Sequence, residues 1–384
     1  MAMLTHQLNF QIRRMSSKSA LFVSGRVANK QFAVFTPDTE FAWVKENKEA
    51  LIKVYKERKS AIQIDKMIAD LDLYTDIKRQ VEERTKSRDI INQQIKENKS
   101  KGGDLNIVLL NRLKDNKKSL KRQKEILWDI EENLILDLLQ LQNCDSKSIF
   151  ENRDYHTQTD GVSETVFKKG HRELAEINDL VQFSNNSHTG FYLKHELARL
   201  ELQLNQYFQS KLLDQEWEIF SNPDFSKSVV VEGCGIDFMN PDKMFSLKKT
   251  QDFGDRTSCN AMHLPGGASL SPFIAYFARN ILTNPHILPI KAFCLGRSYS
   301  PQTISSSDLF KTQQSQGLQL FNVSSSPESM EEELEIMLEC IKDILKVFPN
   351  FSITEQKLAD CSTCNSRQYR VTMQVRCRTN SSDS

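Results

Sequence analysis

The chain has 384 residues and carries 51 Lys and Arg against 50 Asp and Glu, a net charge of +1. That balance excludes a uniformly basic nucleic-acid protein but leaves room for a local basic patch. An apolar fraction of 39% and a mean hydropathy of −0.49 sit below the usual globular range, so part of the chain is expected as long, exposed helix.

The length suits two domains. Residues 1–37 contain no Asp or Glu but hold Arg13, Arg14, Lys18, Arg26 and Lys30, with Ser16, Ser17 and Ser19 among them. Arg- and Ser-rich, acid-poor composition is that of a mitochondrial transit peptide, and the alternative is a disordered basic tail.

Residues 38–142 read as two long helices. Pro37-Asp38 supplies a helix start. Phe41, Val44, Leu51, Val54, Ile62, Ile68, Leu71, Ile77, Val81, Ile91 and Ile95 then recur at helical spacing with no Pro or Gly between them. Gly102-Gly103 breaks this run. A second stripe follows at Leu105, Leu109, Leu113, Leu120, Leu127, Leu134, Leu138 and Leu141. Two stripes joined by a Gly-Gly turn predict an antiparallel hairpin. At about 1.5 Å per residue its arms reach roughly 54 Å.

Residues 143–168 are polar and irregular and read as a linker. From residue 169 the texture changes. Helical segments at 173–180 and 195–213 precede short apolar runs at 229–231, 273–277, 291–295 and 318–323. A further helix is predicted at 329–347, and strands at 352–357 and 368–375. Helices interspersed with separate strands predict an α+β fold with a mostly antiparallel sheet. The domain runs to residue 376, leaving 377–384 as a tail.

Eight scattered cysteines suit a reducing compartment. Cys361 and Cys364 make one half of a zinc-knuckle spacing, but no second CxxC or His pair follows, so no metal site and no cofactor are expected. No run of 18 apolar residues exists, so no membrane span is expected.

The order of these parts resembles the seryl-tRNA synthetase family of class II aminoacyl-tRNA synthetases. "FAWVKENKEALIKVYKER" and the helix after it are similar to the family's first arm helix. "GHRELAEINDLVQF" and "TGFYLKHELARLELQLNQYF" are similar to the lead into class II motif 1, and "NPDFSKSVVVEGCG" to its end, with Pro223 at the motif's proline. "LPIKAFCLGRSYS" through "DLFKTQQSQGLQLF" resembles motif 2. "LADCSTCNSRQYR" resembles the cysteine-containing segment before motif 3, which gives Cys361 and Cys364 a role without metal. The resemblance spans roughly residues 38–376 and implies a tRNA-binding arm on a class II domain.

It also exposes departures. The motif 2 Arg that holds the ATP α-phosphate falls at Gly296, and the Glu two positions on falls at Ser298. Arg297 is adjacent and is expected on the other face of the strand; the alternative is a register shifted by one residue, in which Arg297 serves. The acid closing the motif is Gln319. The serine-recognising Thr-Ala-Glu becomes Gly266, Gly267 and Ala268. The sequence ends before motif 3, so the class II domain is expected to be C-terminally incomplete. Adenylate formation relies on cations and bound Mg²⁺ around a charged phosphorus, which Gly and Ser cannot replace. Loss of one such group costs about 3 kcal/mol of transition-state stabilisation. A degenerate, non-catalytic site is therefore expected; the alternative is a divergent but active mitochondrial serine–tRNA ligase.

The arm keeps its charge. Residues 78–124 hold 15 Lys and Arg against 6 Asp and Glu, an excess of nine on a chain of net +1. The candidate tRNA contacts are Arg112, Lys114, Lys117, Lys118, Lys121, Arg122 and Lys124, with Leu113 and Leu120 turned to the partner helix. No aromatic residue is interleaved among them, so contacts to backbone shape rather than to bases are expected. The resemblance implies mitochondrial serine tRNA as ligand. Through motif 1 it implies a homodimer, or a heterodimer with the active mitochondrial seryl-tRNA synthetase, in the matrix.

Overall fold

A computed structural model describes residues 19–26, 41–60, 62–100, 107–141, 153–159, 170–183, 191–247, 261–278, 280–282, 284–301, 312–348, 350–361, 365 and 367–373. The chain divides into two compact units: residues 1–151 with 357–367, and residues 152–356 with 368–384.

The first unit is helical. α1 (Phe41–Glu46) and α2 (Lys48–Glu57) precede α3 (Ile64–Ser100) and α4 (Ile107–Leu139). α3 and α4 form the expected long hairpin; the Gly-Gly turn lies outside the described residues. One core runs along the base of the hairpin. Leu51, Val54 and Tyr55 of α2 meet Ile64, Met67, Leu71 and Tyr74 of α3 and Leu127, Leu134, Ile135 and Leu138 of α4. The hydroxyl of Tyr74 donates to Glu131 Oε1 at 3.4 Å inside this core. Burial raises the Glu131 pKa, and raises that of Tyr74 to about 12.

Two expectations fail in this unit. The first helix is not continuous from 38 to 99. Lys59 sits at φ 52 and closes α2 as a Schellman cap. Ser60 N donates to Tyr55 O (3.1 Å) and Lys59 N to Lys56 O (3.3 Å). A left-handed residue is expected at such a cap and is usually Gly; here Lys fills it, so the sequence carries no visible break. The second concerns the disordered-tail alternative for the acid-free segment at residues 19–26, which are packed; the rest of residues 1–37 lies outside the described residues. Ser19, Ala20, Phe22, Val23 and Ser24 are buried, and Phe22 joins the arm core. Arg26 bonds Asp129 (2.6 Å) and Glu132 (3.5 Å) of α4. A Cβ at Gly25 would overlap the Trp128 indole nitrogen, so only Gly fits this approach. The apolar residues between the basic ones are there to be buried.

The second unit is α+β, with the antiparallel pairings expected and one parallel pair. β1 (Arg153–Thr159), β9 (Asn350–Glu355) and β10 (Tyr369–Met373) form an antiparallel sheet in the order β1-β9-β10. β1 corrects the expected linker at 143–168: its residues are polar because most of the strand is solvated, while Tyr155 packs against Leu338, Phe351 and Ile353. The central sheet has the order β4-β7-β8. β4 (Glu218–Phe220) runs parallel to β7 (Ile290–Tyr299), and β7 antiparallel to β8 (Gln314–Val323). Small antiparallel pairs join β2 (Val181–Phe183) to β3 (Phe191–Leu193) and β5 (Ser226–Lys227) to β6 (Met262–His263).

Helices α5 (His171–Ile177), α6 (His195–Leu213), α7 (Ser228–Gly233), α8 (Leu270–Phe277) and α9 (Pro327–Leu345) complete the unit. α7 and α8 are the apolar runs at 229–231 and 273–277, helical rather than extended. Runs of three to five apolar residues carry no periodicity that separates the two states. β7 alternates its faces. Phe293 enters a cluster with Leu212, Trp217, Cys340 and Ile344 from the α6 and α9 side. Ile290, Ala292 and Cys294 enter another with Phe273 of α8 and Phe321 of β8. Ser326 caps α9 by accepting from Ser329 N at 3.2 Å, with Pro327 as the first helical residue.

Candidate functional site

The seven arm cations all project from α4. Arg112, Lys114, Lys117, Lys118, Lys121 and Arg122 are exposed and Lys124 half-buried. Leu113 is half-buried and Leu120 buried against the facing helix, as their spacing requires. Lys114, Lys117, Lys118 and Lys121 share one side, because residues three and four apart are neighbours on a helix. None of the seven forms an ion pair among the described residues. Cations of the first arm helix and its base do: Lys45 with Asp72 (2.5 Å), Lys48 with Asp65 (2.6 Å), Arg79 with Asp76 (3.1 Å) and Arg88 with Asp89 (2.8 Å). Along residues 112–124 the sole acid is Asp115. Exposed charges of one sign without counter-charges create a positive field that draws anions and weakens with salt.

Arg88 and Trp128 were not among the sequence candidates. They line a groove of about 370 Å³ with Lys117, Leu120, Lys121, Lys124 and Glu125. Trp128 lies one turn beyond the basic stretch, so counting within residues 78–124 missed it. This corrects the expectation that the basic face has no aromatic partner.

In the second unit the seven positions singled out in the sequence, Gly266, Gly267, Ala268, Gly296, Arg297, Ser298 and Gln319, lie close together. Gly296 stands opposite Gly317, Ser298 opposite Ser315, and Cys294 opposite Gln319. Directly opposed residues share a face, so Gly296, Ser298 and Gln319 lie on one face. Arg297 and its partner Gln316 lie on the other, both exposed. Ser298 and Ser315 share an Oγ–Oγ hydrogen bond of 2.8 Å, and the Gln319 amide donates to Leu320 O at 2.7 Å.

The Gly266–Ala268 segment lies on this face. Ala268 N donates to Arg297 O (3.1 Å) and Tyr299 N to Pro265 O (3.3 Å). Asp224 anchors its other side: Asp224 Oδ1 accepts from Gly267 N (2.8 Å) and Asp224 O from Gly266 N (3.0 Å). Asn222 Nδ2 donates to Gly267 O at 3.2 Å. Gly266 has φ 92, and a Cβ there would overlap Arg297 O. A Cβ at Gly296 would meet Ala268 N at 3.0 Å and Gly267 C at 3.3 Å. The face therefore presents glycine backbone, two serine hydroxyls and an amide. Cys294 lies on the same face, buried, and burial raises its thiol pKa.

Cys361 Sγ donates weakly to Lys357 O at 3.5 Å, while Cys364 lies outside the described residues. Among the described residues no group of three or more His, Cys, Asp or Glu is placed to hold a metal. No helix among them is long and apolar enough to cross a membrane.

The fold defined by this arm and sheet is that of the seryl-tRNA synthetases. The seryl-tRNA synthetase of Pyrococcus horikoshii, solved with ATP, superposes with a TM-score of 0.70 at 15% identity, covering 88% of this chain and 80% of that one. The cytoplasmic serine–tRNA ligase of Naegleria fowleri, solved with AMP, gives 0.67 at 13% identity, with 89% and 80% covered. No protein-family model matches the chain. In sequence the chain is similar to serine–tRNA ligases over parts of its length. It is 30% identical to that of Dictyoglomus thermophilum over 138 residues and 24% identical to the mitochondrial enzyme of Bos taurus over 263 residues. The chain spans 32% and 49% of the length of these two relatives.

Proposed function

We propose that this chain is a non-catalytic seryl-tRNA synthetase paralogue of mitochondria, of the kind of the seryl-tRNA synthetase-like insect mitochondrial protein. In this reading the arm binds tRNA, with mitochondrial serine tRNA the expected ligand. The observation that carries it is the row of α4 cations that form no ion pair among the described residues, taken together with a β7–β8 face that offers glycine and serine. With Gly296, Ser298 and Gln319 where charged groups are needed, and Gly266–Ala268 laid over Gly296, these positions offer ATP no cation for its α-phosphate and serine no acid for its amine. Similarity to mitochondrial serine–tRNA ligases of Bos taurus and Mus musculus and the acid-free N-terminus support a matrix location.

Residues 189–208 and Pro223 support pairing through motif 1, as a homodimer or with the active mitochondrial seryl-tRNA synthetase. Leu200 and Leu202 of α6 are exposed apolar residues suited to such a contact. No cofactor is required.

The test is a filter-binding titration of serine tRNA at several salt concentrations, with wild type and a variant carrying Lys→Glu at 114, 117, 118 and 121. Counterion release gives a slope of roughly 0.7 to 0.9 log units per phosphate contacted. The variant is expected to lose most affinity and to flatten the slope. Equal affinities would move the RNA site off the arm. Serine-dependent ATP–pyrophosphate exchange would instead establish the divergent but active ligase.

A further inference from the structure

The cations of α4 are not all equivalent. Lys117, Lys121 and Lys124 turn toward the seam with α3, where Arg88 meets them from the other helix. Together with the buried Leu120 and the half-buried Trp128, which supply its apolar lining, they form the groove of about 370 Å³. The volume is at the small end of ligand sites, about 300–1,000 Å³. Four cations face one acid, Glu125, and Arg88 is already paired to Asp89 at 2.8 Å.

Phosphate contacts alone need only exposed lysines, such as Lys114 and Lys118 further along the same side. They need neither an apolar lining nor an indole. A purely apolar ligand would not be placed beneath three lysines. Cations, an apolar lining and an aromatic ring together match a phosphate joined to a planar base. The indole is held from behind: Gly25 packs against its nitrogen edge, and Arg26 neutralises Asp129 and Glu132 beyond it. Those two carboxylates would otherwise repel a phosphate entering the groove.

We infer that the groove between α3 and α4 takes one unpaired nucleotide of a bound RNA, its base against Trp128 and its phosphate among Lys117, Lys121, Lys124 and Arg88. The inference rests on RNA binding by the arm and adds to it a preference for RNA that offers a free base. The positive row continuing past the groove to Lys114 and Lys118 favours a polymer over a free mononucleotide, since one nucleotide fills the groove without reaching them.

The test uses the full chain and two RNA hairpins, one fully paired and one with a single bulged nucleotide, titrated by filter binding. Wild type is expected to bind the bulged RNA about tenfold more tightly, the scale of one base stacked on an aromatic ring. Trp128→Leu should abolish the preference, Trp128→Phe should keep most of it, and all three proteins should bind the paired RNA alike, which also verifies that the arm is folded. A wild-type preference that survives in Trp128→Leu overturns the inference, as does its absence from wild type. In either case binding to paired RNA would leave the electrostatic reading standing. If wild type binds neither RNA, both readings fall. A free nucleoside monophosphate that competes as well as the bulged RNA overturns the assignment to RNA.

Discussion

The arm and the β7–β8 hairpin are built on opposite terms. Along residues 112–124 of α4, seven cations stand without ion pairs among the described residues, and six of them are exposed. On the β7–β8 face, the polar groups bond one another and a neighbouring loop: Ser298 to Ser315, Gln319 to its own strand, and Gly266–Ala268 to Asp224, Asn222 and Arg297. An unsatisfied charged row is a surface waiting for an anion, whereas a satisfied glycine-rich face has little left to offer a ligand. The difference teaches that, within one synthetase-like fold, charge can be left open on one element while the polar groups of another are satisfied internally.

The largest effect should come from the arm. Reversing Lys114, Lys117, Lys118 and Lys121 to Glu is expected to lower tRNA affinity at least about 100-fold at moderate salt and to reduce the salt slope by about three, one contact per lysine. Thermal unfolding should be little changed, since all four are exposed. An unchanged slope would break the comparison from the arm's side.

From the other side, Gly296→Arg alone should not restore serine-dependent ATP–pyrophosphate exchange. Any Cβ at 296 meets Ala268 N at 3.0 Å, so the loop must shift, at a cost of about 1–3 kcal/mol. Lower denaturant stability with no exchange is expected; exchange above background would show that the face still accommodates ATP.

A smaller effect sharpens the part played by residues 19–26. Gly25→Val forces a Cβ onto Trp128 and should detach the segment or displace the indole. The cost is about 1–3 kcal/mol, read as a lower arm melting temperature and altered tryptophan fluorescence. A variant as stable as wild type would mean that the segment is dispensable to the arm.

The smallest effect concerns His263 in the second unit. Its ring is buried, with Nε2 2.8 Å from Ser228 Oγ and Nδ1 2.9 Å from Ser246 Oγ. Burial lowers its pKa below the ordinary 6.5. Between the folded and unfolded pKa the unfolded chain binds the extra proton, so stability is full above pH 6.5 and declines as pH falls below it. Urea unfolding at pH 7.5 and 5.5 should show this decline in the second unit, and His263→Asn should flatten it. A pH dependence unchanged in that variant would assign the decline to other groups.

Much of this was legible in the chain, and what was not has identifiable causes. The hairpin could be read because helical periodicity is local and long: Leu113, Leu120, Leu127 and Leu134 repeat over turns that need no distant partner to be recognised. The alternation of β7 placed Arg297 opposite to Gly296 and Ser298, and that also held. The break at Lys59 left no mark, because a lysine took the left-handed cap that glycine usually fills; Asp179 and Glu216 do the same after α5 and α6. β1 was hidden by its polar composition, and α7 and α8 by their shortness.

By itself the sequence determined the elements whose pattern outlasts several turns, the two-part α+β organisation and the excess of positive charge on the arm. All of these are properties of composition and spacing along one segment. Only the tertiary structure decided which charges remain unpaired, that residues 19–26 are buried at the arm, that Arg88 and Trp128 complete a groove with Lys117, Lys121 and Lys124, and that Gly266–Ala268 lies across Gly296. Each of these joins residues far apart in the chain. Whether a cation meets a carboxylate or a glycine meets a backbone is fixed by the packing of whole elements, which no single stretch of sequence encodes.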